Sequence, residues 1–555
     1  MLHCTQSAAL SYGFTPNPLG TLPMRLDWSN PYPSARQAAF ARNIVSASHG
    51  LAAQAGLRVL AQGGNAADAA VAGAAVLAVV DPASNGLGSD CCALVWDGAR
   101  LHGLNACGPA PARWNAPYFA RKHQGLLPAR GWDSVTVPGA VGGWIALHAR
   151  LGSLPLGELL APAIEYAERG YAVTPWAHAK WAAQADELAA QPGFAEHFLP
   201  AGRVPQAGER FVLRGAADTL RRIAATAGRD FYEGETAQKL VAHAQAHDAA
   251  LSLSDLRGYA PQWVEPIAAD YRGHTIHQLP PGAQGLGTLI SLGILERFEL
   301  GSHPIDHAET QHLLIEAVKL AHADIQALAC DPAQMAIAPA ALLERDYLAG
   351  RARRIDVKRA QIHASGKPST SGTVCLTVAD RSGMMVSLVQ SSHAGFGSGV
   401  VVAGTGVSLQ NRGHAFHPDP QHPNGVAGGK RPLHACMPGF VSRQGAPLMS
   451  CAFMGEGMQI QGDVQALVRM IDYHQQPQAA CDAPRWKWRG GLALASEPGL
   501  GAELRAGLGA RGHLIETRSD LDYGSSQVVL RLGDPAVDGH AGASDGRRGG
   551  QASGY

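Results

Sequence analysis

In HGLAAQAGLRVLAQGGN, apolar Leu51, Ala55, Leu57 and Leu60 recur at helical spacing, and Gly63-Gly64-Asn65 ends the run, which predicts a helix that stops there. AADAAVAGAAVLAVVDP follows as a helix that is small and apolar on every side; a one-faced surface helix would show a polar stripe, so this one belongs in the core. Alternating apolar residues on each side of Asp97-Gly98 predict a β-hairpin. SLPLGELLAPAIEYAERGYAVTP reads as a helix and residues 215–258 as two more. VEPIAADYRGHTIHQLPPGAQG reads as strand, turn and loop, and HAETQHLLIEAVKLAHADIQALACDP as a long amphipathic helix. Behind the polar loop QIHASGKPSTSG the character changes. TVCLTVAD and MMVSLVQSS, joined through Arg381-Ser382-Gly383, form an apolar antiparallel pair buried on both faces. Residues 1–45 are Pro-rich and weakly patterned and read as an extended arm, while the tail GHAGASDGRRGGQASGY reads by composition as a frayed terminus.

Composition narrows the function classes. Lys plus Arg and Asp plus Glu are both 45 in 555 residues, so no broad charged surface exists for nucleic acid or anionic lipid. Charged residues are 16% and hydrophobic ones 46%, the balance of a folded enzyme with much of its chain buried. The 66 glycines lack a collagen period and imply tight turns and close backbone approaches. Nine scattered cysteines without a Cys-x-x-Cys pair argue against a disulfide framework or zinc ribbon. His243 and His247 stand four apart but lack the glutamate of a zinc protease, and His417 with His422 lacks a third ligand, so no metal and no cofactor is expected. With neither a secretory signal nor a membrane span in the text, the expected location is cytoplasmic. Asp90 in GLGSDCC reads as a turn or cap residue.

Ser371-Gly372-Thr373 stands where the polar loop enters a buried strand. Cleavage between Gly372 and Thr373 would give Thr373 a free α-amine beside its own hydroxyl. That amine, with an ordinary pKa of about 7.7 to 8.0, can take the Oγ proton without a separate histidine. Gly372 suits the cut, because the absent Cβ tolerates strain and lets the Thr373 hydroxyl approach the preceding carbonyl. Taken alone, a Gly-Thr step at a strand entrance is common.

The surrounding text supplies a resemblance. AAQAGLRVLAQGGNAADAAVA, VTVPGAVGGWIALHARLGSLPLGELLAPAIEYAERGY, LSLSDLRGYAPQW, EPIAADYRG, LLIEAVKLAHAD, GTVCLTVADRSG, FGSGVVVAGTGVSLQN and GGKRPLHACMP occur in order over about residues 47–530. Together they resemble the γ-glutamyltranspeptidase family of N-terminal-nucleophile hydrolases. The resemblance implies an αββα sandwich, two central antiparallel sheets flanked by helices. It also implies self-cleavage into a large subunit (46–372 after the arm) and a small one (373–555), which together build one core, and, because GASDGRRGG resembles the family's closing residues, a tail that packs partly on that core despite its composition. It makes Thr373 the nucleophile, with Val374 and Cys375 in place of the family's Thr-His. Ser391 becomes the hydroxyl that bonds the nucleophile, and the backbone N–H groups of Gly455 and Glu456 become the oxyanion hole.

The glutamyl-binding positions differ. Cys107 stands in place of the family arginine and His434-Ala435 in place of a Ser-Ser pair. Arg412, Ala415 and His393 replace the residues that hold the α-amine, so no carboxylate remains to pair an ammonium. LQNRGHAF, HPN, GKRP and MGEGMQ resemble instead the acylase and amidohydrolase branch, which includes cephalosporin-acylase-like and oxamate-amidohydrolase-like enzymes. Arg412, with His393 and His434, is the candidate reader of an anionic acyl group; an arginine bracing a glycine-rich loop is the equal alternative. The expectation is an amidohydrolase on a small-molecule amide that is not a glutamyl compound. An authentic glutathione hydrolase and an uncleaved, non-catalytic binding homologue stay open.

Overall fold

The computed structural model describes residues 36–363, 372–455, 457–520 and 522–555. Among them two seven-stranded sheets, antiparallel throughout, form the centre. One runs Gln551–Gly554, Ile44–Ala47, Gly372–Ala379, Met385–His393, Asp90–Trp96, Leu101–Ala106, Gln262–Val264. The other runs Ala39–Ala41, His540–Ser544, Ser525–Arg531, Ala446–Met454, Pro438–Arg443, His274–Gln278, Ile267–Tyr271. Both sheets draw strands from before residue 372 and from after it, so the two halves of the chain share one core.

The sheets lie face to face. Met385–His393 is buried at every position, as its uninterrupted apolar and small polar residues require of a strand covered on both sides. Hydrogen bonds cross the gap: Ser387 Oγ donates to the Cys451 carbonyl at 2.7 Å, and Ser46 Oγ lies 2.6 Å from Gln527 Oε1.

Helices close both outer faces. Ala66–Val80 is buried along its whole length and packs on Gly372–Ala379 and Met385–His393. Asn65 and Asp68 start it with a reciprocal capping box, which satisfies two of the amides that every helix start leaves open. Gly285–Leu295, Ala308–Leu328 and Gln459–Ile471 cover the second sheet. The observed layers are helix, sheet, sheet, helix, the expected αββα class. No helix of the described residues is long and apolar enough to cross a membrane.

The hairpin about Asp97-Gly98 is present, with Gly98 at φ +101°, and so is the one at Gly383, at φ +90°. The arm needs correction. Residues 1–35 lie outside the described residues, but Ala39–Ala41 and Ile44–Ala47 are sheet strands. The tail packs on the core, as the resemblance implies against the reading from composition: His540–Ser544 enters one sheet and Gln551–Gly554 the other. Its glycines permit this approach, since a Cβ on Gly550 would meet the Ala47 carbonyl at 2.7 Å.

Helix Gln459–Ile471 carries Asp463 into the core, where Oδ2 accepts hydrogen bonds from Gln278 Nε2 at 3.2 Å and Thr288 Oγ1 at 2.9 Å. Burial pushes its carboxyl up to about 7. Between the unfolded value of about 3.9 and that value, the folded chain binds the extra proton, so stability falls as pH rises from about 4 to about 7 and stays low above. Asp463→Asn is therefore expected to stabilise the protein by roughly 2 kcal/mol at pH 8 and by little at pH 4. Urea melts at both pH values check this; an equal effect at each would remove the titration from the account.

Candidate active site

Thr373 is the second residue of the central strand Gly372–Ala379. Gly372 pairs with His393 but Val374 pairs with Gln390, so the neighbouring strand carries one extra residue here, and Ser391 and Ser392 form a β-bulge opposite Thr373. Its side chain is fully buried, and Oγ1 donates to Ser391 Oγ at 3.2 Å. Ser391 Oγ also accepts from the His393 amide at 2.9 Å. His393 has φ +77°, in the left-handed region that residues with a β-carbon rarely occupy, and such strain collects at functional sites. The Thr373 carbonyl accepts from Arg548 Nη1 at 2.9 Å, and the Arg548 guanidinium also pairs with Asp522 and lies 4.6 Å from the Trp176 ring centre.

Gly455 follows the end of strand Ala446–Met454, which packs across from Gly372–Ala379. It has φ +129°, and a Cβ there would meet Gly524 Cα at 2.2 Å, so only glycine fits. Glu456 lies outside the described residues. Beside Gly524 opens a cavity of about 530 Å³ whose walls include Trp176, Lys180, Asp522 and Arg548. Burial would raise the Asp522 carboxyl, but the charges of Arg548 and Lys180 outweigh it and hold the group far below the usual range. The cavity therefore keeps a carboxylate in its wall, next to the arginine that anchors Thr373.

Arg412, His393 and His434 come together, but not around an opening. Arg412 opens the short 3-10 turn Arg412–Ala415 and is completely buried. Nε donates to Asp90 Oδ2 at 3.1 Å, Nη1 to His393 Nδ1 at 3.2 Å, and Nη2 to Cys436 Sγ at 3.5 Å. Burial, reinforced by Arg412, keeps the His393 imidazole neutral, so its Nδ1 can accept. Asp90, expected as a turn residue, is instead the counter-ion, and it also accepts from the Gly108 amide at 3.2 Å. Burial raises the Asp90 carboxyl and Arg412 opposes the shift. A buried guanidinium without a partner would cost several kcal/mol, which is why all three of its nitrogens turn inward. Arg412 is fully buried, with each of its three nitrogens bonded inside the protein.

Sequence reasoning missed what surrounds that arginine. One ligand atom each from Cys92, Cys107, His434 and Cys436 lies within 4.8 Å of the others, and all four residues are buried. Hydrogen bonds from the Cys107 and Cys92 thiols, with the Arg412 charge, hold the Cys436 thiol well below its usual value. No local spacing betrays the group, because hairpin and loop meet only in space: Asn105 and His434, 3.5 Å apart, are separated by 329 residues. The histidine pairs seen in the sequence stay pairs: the His243 and His247 rings lie 4.6 Å apart, those of His417 and His422 4.0 Å, and neither joins a third ligand among the described residues. His312, Glu316 and His513 also converge, but Lys319 Nζ, 2.7 Å from Glu316 Oε1, already supplies a cation.

Two facing antiparallel sheets clad in helices, with a buried threonine at the head of a central strand, define the class of N-terminal-nucleophile hydrolases. The family follows from the comparisons. The sequence model of gamma-glutamyltranspeptidase matches residues 52–555, and the chain belongs to that family of enzymes. It is 36% identical over 489 residues to the glutathione hydrolase-like YwrD proenzyme of Bacillus subtilis, covering 87% of this chain and 92% of that one. It is 35% identical over 528 residues to the oxamate amidohydrolase proenzyme of Klebsiella pneumoniae, covering 92% and 98%. The crystal structure of cephalosporin acylase from Bacillus halodurans superposes with a TM-score of 0.91 at 42% identity, covering 96% of this chain and 99% of that one.

Proposed function

We propose that the chain is a precursor that cuts itself before Thr373 and then hydrolyses a small-molecule amide with Thr373 as nucleophile. The observation that carries the reading is the threonine hydroxyl, buried opposite a bulge and already hydrogen-bonded to Ser391. In processing, Thr373 Oγ adds to the Gly372 carbonyl carbon, the C–N bond breaks as the nitrogen takes the proton lost by the hydroxyl, and water hydrolyses the resulting ester. The products are the Gly372 carboxylate and the Thr373 α-amine. In turnover that amine takes the Oγ proton while Oγ attacks the substrate carbonyl, then returns it to the leaving amine, and water releases the acyl group. Backbone N–H groups at Gly455 and Glu456 stabilise the oxyanion in this reading, and Arg548 fixes the strand by holding the Thr373 carbonyl.

The substrate proposed is an acyl amide other than a γ-glutamyl one. Cys107, His434 and Arg412, which stand at the glutamyl-binding positions of the resemblance, are turned into a buried network. A matched panel of oxamate, a cephalosporin with a dicarboxylic side chain and a γ-glutamyl anilide tests it; a preference for the anilide would restore the glutathione-hydrolase alternative.

Ser391→Ala removes the acceptor of the Thr373 hydroxyl and of the His393 amide. One lost hydrogen bond of about 1 to 1.5 kcal/mol slows both processing and hydrolysis roughly tenfold. Time courses of precursor disappearance and of kcat check it, and Ser391→Thr, which keeps the hydroxyl, should recover most of both.

A further inference from the structure

Three thiols and one imidazole meet in the interior between the hairpin strands and the segment after Leu433. Cys92 lies in strand Asp90–Trp96 and Cys107 just beyond Leu101–Ala106, while His434 and Cys436 precede Pro438–Arg443. Each is at most 1% exposed. Three cysteines and one histidine form a standard donor set for tetrahedral zinc, and Zn–S bonds of ~2.3 Å place sulfurs ~3.8 Å apart. Cys92 and Cys107 Sγ stand 3.7 Å apart, close to that edge and well beyond a disulfide bond of ~2.05 Å. The other donors lie within 4.8 Å, so sub-ångström side-chain shifts close the set.

The surroundings match a metal site's outer shell. Arg412 Nη2 donates to Cys436 Sγ and brings positive charge to a centre that three thiolates leave net negative. Asn105 Oδ1 accepts from the Cys107 amide at 3.0 Å, and its Nδ2 lies 3.5 Å from His434 Nε2, which orients loop and ring together. Buried His434 Nδ1 has no hydrogen-bond partner among the described residues, a cost that a ligand would remove.

We propose that Cys92, Cys107, His434 and Cys436 bind one zinc ion in a closed, four-coordinate structural site. With all four positions taken by protein, the ion holds the fold and leaves the chemistry to Thr373. Where the chain is cut before Thr373, a step that rests on the function proposed above, Cys92 and Cys107 belong to one subunit and His434 and Cys436 to the other. The ion then clamps the two subunits together.

Full-length protein, expressed with added zinc and freed of loose metal by gel filtration, is expected to carry about one zinc per chain by mass spectrometry of the metal. Cys107→Ser and Cys436→Ser are each expected to lose it, and Thr373→Ala to keep it. Should either cysteine variant fail to fold, cobalt(II) exchanged into the native protein is expected to give the visible bands of a tetrahedral ion with a thiolate charge-transfer band. Reduced native protein that takes up no stoichiometric zinc or cobalt, or a metal-free chain with Cys92 and Cys107 joined in a disulfide by peptide mapping, overturns the proposal. Normal processing of Thr373→Ala would overturn the nucleophile and leave the zinc result standing, so the two readings fail separately.

Discussion

Thr373→Ala is expected to run as one band at 58.0 kDa on denaturing electrophoresis, where the native chain gives bands near two-thirds and one-third of that mass, and to lose amide hydrolysis by about 10³-fold or more. The size of the effect follows from the geometry. In the function proposed above, one residue supplies the oxygen that attacks its own preceding carbonyl, the oxygen that attacks substrate and, after the cut, the amine that receives the proton. Removing the hydroxyl therefore removes processing and turnover together, whereas a lost binding residue would affect only the second. Thr373→Ser keeps the oxygen and is expected to process more slowly but to completion. Intact-mass spectra of the three proteins decide the matter: cleavage of Thr373→Ala at the Gly372 boundary would place the nucleophile elsewhere. The bulge at Ser391 and Ser392 brings the Ser391 hydroxyl against Thr373, whereas Val374, one step along, is in regular register with Gln390.

Features written in adjacent residues are legible in the sequence itself. The all-round apolar character of Ala66–Val80 and the turns at Gly98 and Gly383 depend on local chemistry, and each is found as expected. Thr373 stands out because a loop-to-strand change and a long ordered set of family motifs meet there. Features made by distant segments are not legible in this way. Arg412 and Asp90 are 322 residues apart, so an arginine in a glycine-rich loop looks the same in sequence whether it faces substrate or a buried carboxylate. The tail is legible only through the resemblance: its glycines signal disorder by composition, yet they are what lets a strand lie against Ala47, and Arg548 there reaches the Thr373 carbonyl. The cysteine and histidine group joins hairpin to loop, and a search by spacing along the chain passes over it.

Asp90→Ala is expected to destabilise the chain by about 3 to 5 kcal/mol, the cost of leaving a buried guanidinium without its counter-charge. The remaining partners of Arg412 do not replace the carboxylate, because His393 is held neutral and Cys436 Sγ lies 3.5 Å away. Arg412→Met, which fills a similar volume without a charge, is expected to cost less than Asp90→Ala, and the double variant less than the sum of the two. Urea denaturation of all four proteins in the Thr373→Ala background, where a single chain unfolds, measures the coupling; strict additivity would mean the pair does not act as a unit. The pair also reaches the nucleophile. Asp90 lies directly opposite Ser391 in the sheet, and Arg412 links Asp90 to His393, whose strained backbone amide donates to Ser391 Oγ. Loosening that chain lets the Ser391 hydroxyl swing away from Thr373, so Asp90→Asn, with the charge removed and the shape kept, is expected to lower kcat and slow processing while leaving KM nearly unchanged. A rise in KM at constant kcat would instead make Asp90 and Arg412 part of the substrate's binding surface.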